Sequence, residues 1–148
     1  MKYIALLISA VLIASPALAK DDLVLYSISD AFGTHEAKTQ LDPGVKLYFA
    51  DQEHPKADKT LGTWVTNKKF PLLNKQPKSV CEYTFLDALK KLQRRALKEG
   101  GNAVVGIESY YKKMSRPSTD KYMCGVGYVA IGVALRGTVI KVKEDEIK

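Results

Sequence analysis

Residue types with wide chemical use are scarce in this sequence of 148 residues, which holds two cysteines and two histidines. His54 follows Asp51 and Glu53 in one polar stretch, where oxygen and nitrogen ligands could hold a divalent cation or serve a metal-dependent hydrolase. The spacing matches no established metal loop, and an acidic surface loop with an incidental histidine is the other interpretation. We therefore expect no cofactor, and Asp51, Glu53 and His54 stay as weak metal candidates.

Motifs for catalysis or nucleotide binding do not occur in the sequence. It has no G-x-S-x-G elbow and no G-x-x-x-x-G-K-[ST] phosphate loop. Gly125-x-Gly127 has the opening of a glycine-rich phosphate loop, but the third glycine is misplaced. The sequence thus predicts neither an enzyme nor a nucleotide-binding protein.

A mixture of aromatic and positively charged side chains marks a candidate binding face. Strand pairing should gather these residues at one rim, where they could bind an anionic polymer or an envelope protein. They are Tyr110, Tyr111, Lys112, Lys113, Arg116 and Tyr122. The other interpretation is that the tyrosines are half-buried on a sheet surface. The net charge of +7 favours anionic partners weakly. Since the lysines are spread along the chain, a solvated surface is the alternative, and nucleic acid is not an expected partner.

Residues 1–19 have the pattern of a secretory signal peptide, with a positive charge at Lys2, an apolar run and an A-x-A site ending at Ala19. The apolar run is too short to span a membrane, and no later stretch reaches the roughly 20 apolar residues that spanning needs. Lys20 follows the site in place of a cysteine, so no lipid anchor is expected there. The sequence predicts a periplasmic protein, residues 20–148, that forms a single soluble domain.

Cys81 and Cys124 are predicted to form a disulfide, because export places them in an oxidising compartment. Cys81 lies on the apolar side of a predicted helix, and Cys124 lies near the start of the last strand. The bond would join helix to sheet and would require Cα atoms roughly 4.4–6.8 Å apart. A redox-active pair is the alternative, although the sequence has no C-x-x-C spacing.

One long amphipathic helix, about Ser79–Glu99, must position Cys81. Its apolar residues recur at helical spacing: Cys81, Phe85, Ala88, Leu89, Leu92 and Ala96. Ser79 and Glu82 have the spacing of a capping box, and Gly100-Gly101 provides a left-handed stop.

Two long strands are predicted after this helix, Asn102–Tyr111 and Tyr122–Val142, paired antiparallel across the polar hairpin loop 114–121. Alternation in the second strand changes phase, because Cys124 and Val126 belong to one face and Val129 onward to the other. A bulge at Gly125 or Gly127 would bring both sets to the helix side.

The segments before the helix are predicted to form further strands and a short helix that cover this core. Leu23–Ile28 is strand-like, and a short helix from Asp30 to Leu41 is interrupted at Gly33-Thr34. Val45–Ala50 and Leu61–Thr66 are predicted as a hairpin, and residues 67–78 as a connector. The expected fold class is therefore α+β: a mainly antiparallel sheet packed on one long helix, with a core motif at 79–142 and an additional short N-terminal helix.

Several segments resemble a family of small exported bacterial proteins that are often catalogued as "excinuclease ATPase subunit". The likeness covers nearly all of the exported chain and is found in five segments: Ser27–Ala31, Leu41–Phe49, Gly101–Ile107, Ser109–Lys113 and Ala130–Gly137. The resemblance implies an exported protein, whereas the catalogue name implies a phosphate loop that this sequence lacks.

More distantly, residues 79–142 are similar to the signalling domain of the Rcs envelope-stress lipoprotein and to YbjQ-type domains described as heavy-metal-binding. By this resemblance Cys124 matches a disulfide cysteine of the lipoprotein, and Ala130 stands where a second cysteine lies. No catalytic or ligand residue can be transferred, and the lipid-bearing cysteine is absent. The expected function is a periplasmic binding or interaction protein in envelope homeostasis or stress, with its ligand unidentified.

Overall fold

The computed structural model describes residues 21–147, so the predicted signal peptide and Lys20 lie outside the described part. Six strands and three α-helices follow one another along the chain. They are β1 (Asp22–Ser27), α1 (Ile28–Phe32), α2 (His35–Gln40), β2 (Lys46–Phe49), β3 (Lys59–Pro71), α3 (Pro77–Lys98), β4 (Ala103–Ser109), β5 (Lys121–Val126) and β6 (Ala130–Lys141). The strands form one mixed sheet packed against α3, which confirms the α+β class.

The long strand β6 is the centre of the sheet. β3 pairs with it antiparallel along its whole length, from Pro71 opposite Ala130 to Lys59 opposite Lys141. The other edge of β6 is shared by β5 at one end and β4 at the other, both antiparallel. β1 extends the sheet antiparallel beyond β5, and β2 extends it parallel beyond β4. The sheet is therefore mainly antiparallel, as predicted.

Helix α3 begins earlier than the sequence predicts, and the predicted capping box at Ser79 and Glu82 is wrong. The N-cap is Gln76, and Pro77 occupies the first helical position, where its fixed φ suits the helix and its missing N–H is not needed. Ser79 consequently lies inside the first turn. The predicted stop is confirmed: Gly100 has φ +81°, and the N–H of Gly101 donates to Ala96 O at 2.8 Å.

The apolar stripe of α3 covers one face of the sheet and forms the main core. Phe85, Leu89 and Leu92 are fully buried there with residues of β4, β5 and β6. Cys81 and Cys124 are bonded to each other within this core, and their Cα atoms lie 6.0 Å apart. That distance falls inside the range required by the sequence analysis, so the first turns of α3 cross β5.

The predicted single strand Tyr122–Val142 is two strands joined by a hairpin, and the predicted bulge at Gly125 or Gly127 is wrong. The Gly127 N–H donates to Ala130 O at 2.9 Å, which reverses the chain, and Gly125 lies opposite Gly132. Chain reversal, and not a bulge, brings Cys124 and Val126 to the α3 side together with Ile131, Val133 and Leu135, whereas Val129 is exposed at the hairpin tip. The change of phase in the alternation was therefore the signal of a turn.

Strand partners upstream also differ from the prediction. β2 does not form a hairpin with β3, because β2 lies beside β4 and β3 lies beside β6. β3 also extends through residues 67–71, which the sequence analysis assigned to a connector. Loop 114–121 leads from β4 to β5, while the antiparallel partner of β4 is β6. The predicted interruption at Gly33-Thr34 is confirmed, since Thr34 caps the separate helix α2.

Candidate functional site

The predicted binding face lies at the turn that follows β4, and the structure divides its six residues. Lys112, Lys113 and Arg116 are exposed and Tyr110 is half-buried, whereas Tyr111 and Tyr122 are buried. We call the first four residues the cationic rim. The two buried tyrosines lie on opposite faces of the sheet and belong to its packing.

Tyr122 points into the main core, so the prediction that it joins the binding face is wrong. Tyr122 and Cys124 are two positions apart on β5, so both side chains lie on the α3 side. Only 1% of the surface of Tyr122 is exposed. Its ring stacks on Phe85 with centroids 3.9 Å apart. Burial raises the pKa of the Tyr122 hydroxyl, because the charged phenolate would lose its hydration.

Tyr111 is buried on the other face of the sheet, where its ring fills the space left by two glycines that have no side chain. A Cβ on Gly125 would lie 2.4 Å from this ring, and one on Gly132 would lie 3.0 Å from it. The Tyr111 hydroxyl donates to Asp21 Oδ2 at 2.5 Å. Burial and this hydrogen bond raise the pKa of Tyr111 to about 12, and the same bond lowers the pKa of Asp21.

Asp21 is a site residue that sequence reasoning missed, because it lies 90 positions from Tyr111. β1 brings it close by pairing with β5, in register from Asp22 opposite Val126. Asp21 Oδ2 also lies 3.7 Å from Lys112 Nζ. The carboxylate thus anchors the base of the cationic rim.

The backbone of the cationic rim is strained. Lys112 has φ +50° and Lys113 has φ +63°, which places two successive lysines in the left-handed region. Residues other than glycine, asparagine and aspartate rarely adopt it, at a cost of about 1–2 kcal/mol each. Tyr111 below and the backbone bridge between Ser109 and Arg116 hold the turn in this shape. Both lysines of this turn are exposed at the surface.

Electrostatic compensation at the cationic rim is incomplete. Glu108 is the nearest acidic residue on β4, and its carboxylate accepts hydrogen bonds from Arg136 and from Ser115. Arg136 also lies over the Tyr110 ring, with Cζ 4.2 Å from the centroid. Within residues 21–147, Lys113 and Arg116 form no salt bridge with a carboxylate. An anionic ligand could therefore supply the missing charge.

The structure does not bring the predicted metal candidates together. Asp51, Glu53 and His54 are all exposed in the loop between β2 and β3. The His54 ring contacts Tyr48, and its Nδ1 lies 2.8 Å from the carbonyl oxygen of Pro55. Among residues 21–147, no group of three His, Cys, Asp or Glu side chains is placed to hold a metal ion.

Comparison with known proteins shows a limited likeness to a solved structure. No protein-family model matches the chain, and no curated protein matches it. Among solved structures it is similar to a protein of unknown function from the DUF74 family of Pediococcus pentosaceus ATCC 25745. The identity is 13% and the TM-score 0.47, over 68% of this chain and 99% of the other. Across the described residues, no helix is both long and apolar enough to cross a membrane.

Proposed function

We propose that this chain is an exported periplasmic protein that acts by binding, and that the cationic rim binds an anionic polymer of the cell envelope. The observation that supports this most is the left-handed pair Lys112 and Lys113. Two lysines at positive φ destabilise the fold, and such strain concentrates at functional sites, where it holds side chains in place. The bonded cysteines agree with an oxidising compartment.

The arrangement suits a polymer better than a small anion. Lys112, Lys113 and Arg116 are exposed on the turn, and Tyr110, which precedes them in the chain, is half-buried. Successive charges of a flexible anionic chain can meet successive cations on such a surface, and each contact contributes modestly because water screens it. Affinity then arises from several weak contacts and falls as salt is added.

Dextran sulfate is a suitable probe, since neutral dextran provides a ligand of the same backbone without charge. We expect the protein with its disulfide intact to bind dextran sulfate and not dextran, and to bind more weakly as sodium chloride is raised. Reversing both rim charges, Lys112→Glu with Lys113→Glu, should weaken binding by roughly tenfold or more, since two attractive contacts become repulsive. Calorimetry or biolayer interferometry would measure this.

The matched control is Lys56→Glu with Lys59→Glu, which changes the net charge equally at two exposed lysines. Lys59 lies at the far end of the sheet, opposite Lys141 at the end of β6. The control should bind nearly as well as the unaltered protein. Equal losses in the two double variants would show that only net charge matters and would reject the rim as a site.

A further inference from the structure

A second cationic surface lies on α3. This helix covers one face of the sheet, and Tyr111, which supports the cationic rim, lies on the other face. Five basic residues occupy the solvent side of its last three turns, at spacings of one and four residues. They are Lys90, Lys91, Arg94, Arg95 and Lys98. Among the described residues, only Arg95 of this set has a carboxylate partner, Glu99 Oε1 at 3.1 Å.

Helix stability does not account for these charges. Like charges four residues apart repel, and the set contains three such pairs, including Lys90 with Arg94. The negative end of the helix dipole favours cations in the last turn, which explains Arg95 and Lys98. The effect of the helix dipole does not extend to Lys90, Lys91 and Arg94. Lys90 and Arg94 repel each other at this spacing, and an anion bound beside them would relieve that repulsion.

A cleft between α3 and β3 gathers four of the five cations. Its volume is about 210 Å³, and its lining includes Lys91, Arg94, Arg95, Lys98 and Trp64. The concentration of positive charge in a recess strengthens the attraction for an anion, because low-dielectric walls focus the field. The geometry therefore differs from that of scattered surface lysines.

The base of this cleft is built by a local distortion of β3. The pairing of β3 with β6 shifts by one residue between Thr60 and Gly62, and Gly62 has φ +134°. A Cβ at Gly62 would lie 2.7 Å from the Trp64 indole, so only glycine lets the ring lie against the strand. The Arg95 guanidinium sits over that ring, with Cζ 5.5 Å from its centroid. Trp64 thus positions Arg95 at the cleft.

We propose that this cleft is a binding site for a ligand with clustered phosphate or sulfate oxyanions. The planar guanidinium groups of Arg94 and Arg95 match the oxygens of such groups, and Lys91 and Lys98 add point charges. The site does not depend on the cationic rim, since it is built from α3 and β3 and shares no residue with the rim.

Trp64 allows a direct test because it is the single tryptophan of the chain. Inorganic tripolyphosphate is the probe, titrated at constant ionic strength while Trp64 fluorescence is followed. We expect a saturable change in emission. Lys91→Gln with Arg94→Gln should weaken the apparent affinity by about tenfold or more, since two charge-assisted contacts are lost. Both residues are exposed, so the variant should fold, and its unfolding temperature should stay the same or rise slightly because repulsion between like charges on α3 is reduced.

The matched control is Lys112→Gln with Lys113→Gln, which removes two charges from the cationic rim and should leave the Trp64 titration unchanged. An unchanged emission in the unaltered protein, confirmed by calorimetry without binding heat, would overturn the proposal. So would equal losses in the two double variants. Because the cleft could also meet the sulfates of dextran sulfate, the rim variants are compared for that polymer in the Lys91→Gln, Arg94→Gln background, while tripolyphosphate binding is followed at Trp64. Either site can then fail alone.

Vesicles separate the two sources of oxyanions. If the protein sediments with phosphatidylglycerol vesicles, and the Lys91→Gln, Arg94→Gln variant does not, the ligand is a lipid headgroup. If tripolyphosphate binds and the vesicles do not, the ligand is a soluble phosphorylated or sulfated compound. Tripolyphosphate binding that survives in the cleft variant would refute the site whatever the vesicles do.

Discussion

Replacing Tyr122 with phenylalanine should stabilise the protein. The Tyr122 hydroxyl is buried and has no hydrogen-bond partner among the described residues. A buried polar group without a partner costs about 1–3 kcal/mol, and the substitution removes that group. The ring itself should stay stacked on Phe85, where the two planes lie within 10° of each other, so no cavity forms.

We expect the free energy of unfolding to rise by about 1 kcal/mol, the lower end of that range, because the core relaxes around the hydroxyl. For a domain of this size the melting temperature should rise by about 4 °C. Urea denaturation followed by far-UV circular dichroism would measure the change. Tyr26→Phe is the matched control, since Tyr26 lies on β1 with its ring 6.1 Å from that of Tyr122 and is half-buried.

The control should shift stability by no more than about 0.5 kcal/mol. A loss of stability of 1 kcal/mol or more in Tyr122→Phe would refute the reasoning, because it would mean that the hydroxyl makes a favourable hydrogen bond. Tyr122→Phe should also bind dextran sulfate as well as the unaltered protein does. Weaker binding would return Tyr122 to the binding face.

Three further predictions concern the packing that supports the cationic rim and the core. Replacing Cys81 and Cys124 with serine should lower stability by roughly 4 kcal/mol in denaturant titration, because the bond closes a loop with a sequence separation of 43 and restricts the unfolded chain. Since the pKa of Tyr111 is raised from 10.0 to about 12, its contribution to stability is complete below pH 10 and is lost as the pH rises through about 12. Tyr111→Phe should therefore flatten the loss of stability over that pH interval, measured by urea titration at each pH. Gly125→Ala should destabilise by about 1–3 kcal/mol in the same assay, because its Cβ would overlap the Tyr111 ring.

Each of these three predictions can be contradicted by a specific result. Reduction that leaves the denaturation midpoint unchanged would remove the disulfide as a stabilising bond. An alkaline transition identical in Tyr111→Phe would show that the Tyr111 hydroxyl is not held by Asp21. A neutral Gly125→Ala would mean that the ring lies elsewhere.

The helix was predictable because its signals are local. Apolar residues from Cys81 to Ala96 repeat with the helical period, and Gly100 provides the left-handed stop. The start was misplaced because Ser79 and Glu82 have capping-box spacing, while Pro77 at the first position determines where the helix begins. The position of Cys81 on the apolar side was correct for the same local reason.

Strand partners were not predictable, because pairing depends on contacts distant in sequence. Tyr128 and Val129 form the hairpin tip and are highly exposed, yet both have the composition of a strand interior. Residues 67–71 looked like a connector because of Lys68 and Lys69, but lysines are typical of an edge strand such as β3. Its pairing with β6 continues to Pro71 at the strand end.

The candidate site was half predictable. The clustering of basic residues in the sequence correctly predicted that Lys112, Lys113 and Arg116 lie at the surface. The phase of β5 alone decides that Tyr122 faces α3, and that phase could not be assigned while β5 and β6 were taken as one strand. The left-handed backbone at the lysines has no sequence signal, since glycine or asparagine usually marks it.

The central claim is that the strained lysine pair of the cationic rim is maintained for binding. The most direct test is the dextran sulfate affinity of Lys112→Gly with Lys113→Gly, in which glycine adopts the same positive φ without strain and carries no charge. We predict that affinity falls by roughly tenfold or more while the free energy of unfolding stays the same or rises. Affinity retained within about twofold of the unaltered protein would contradict the proposed function.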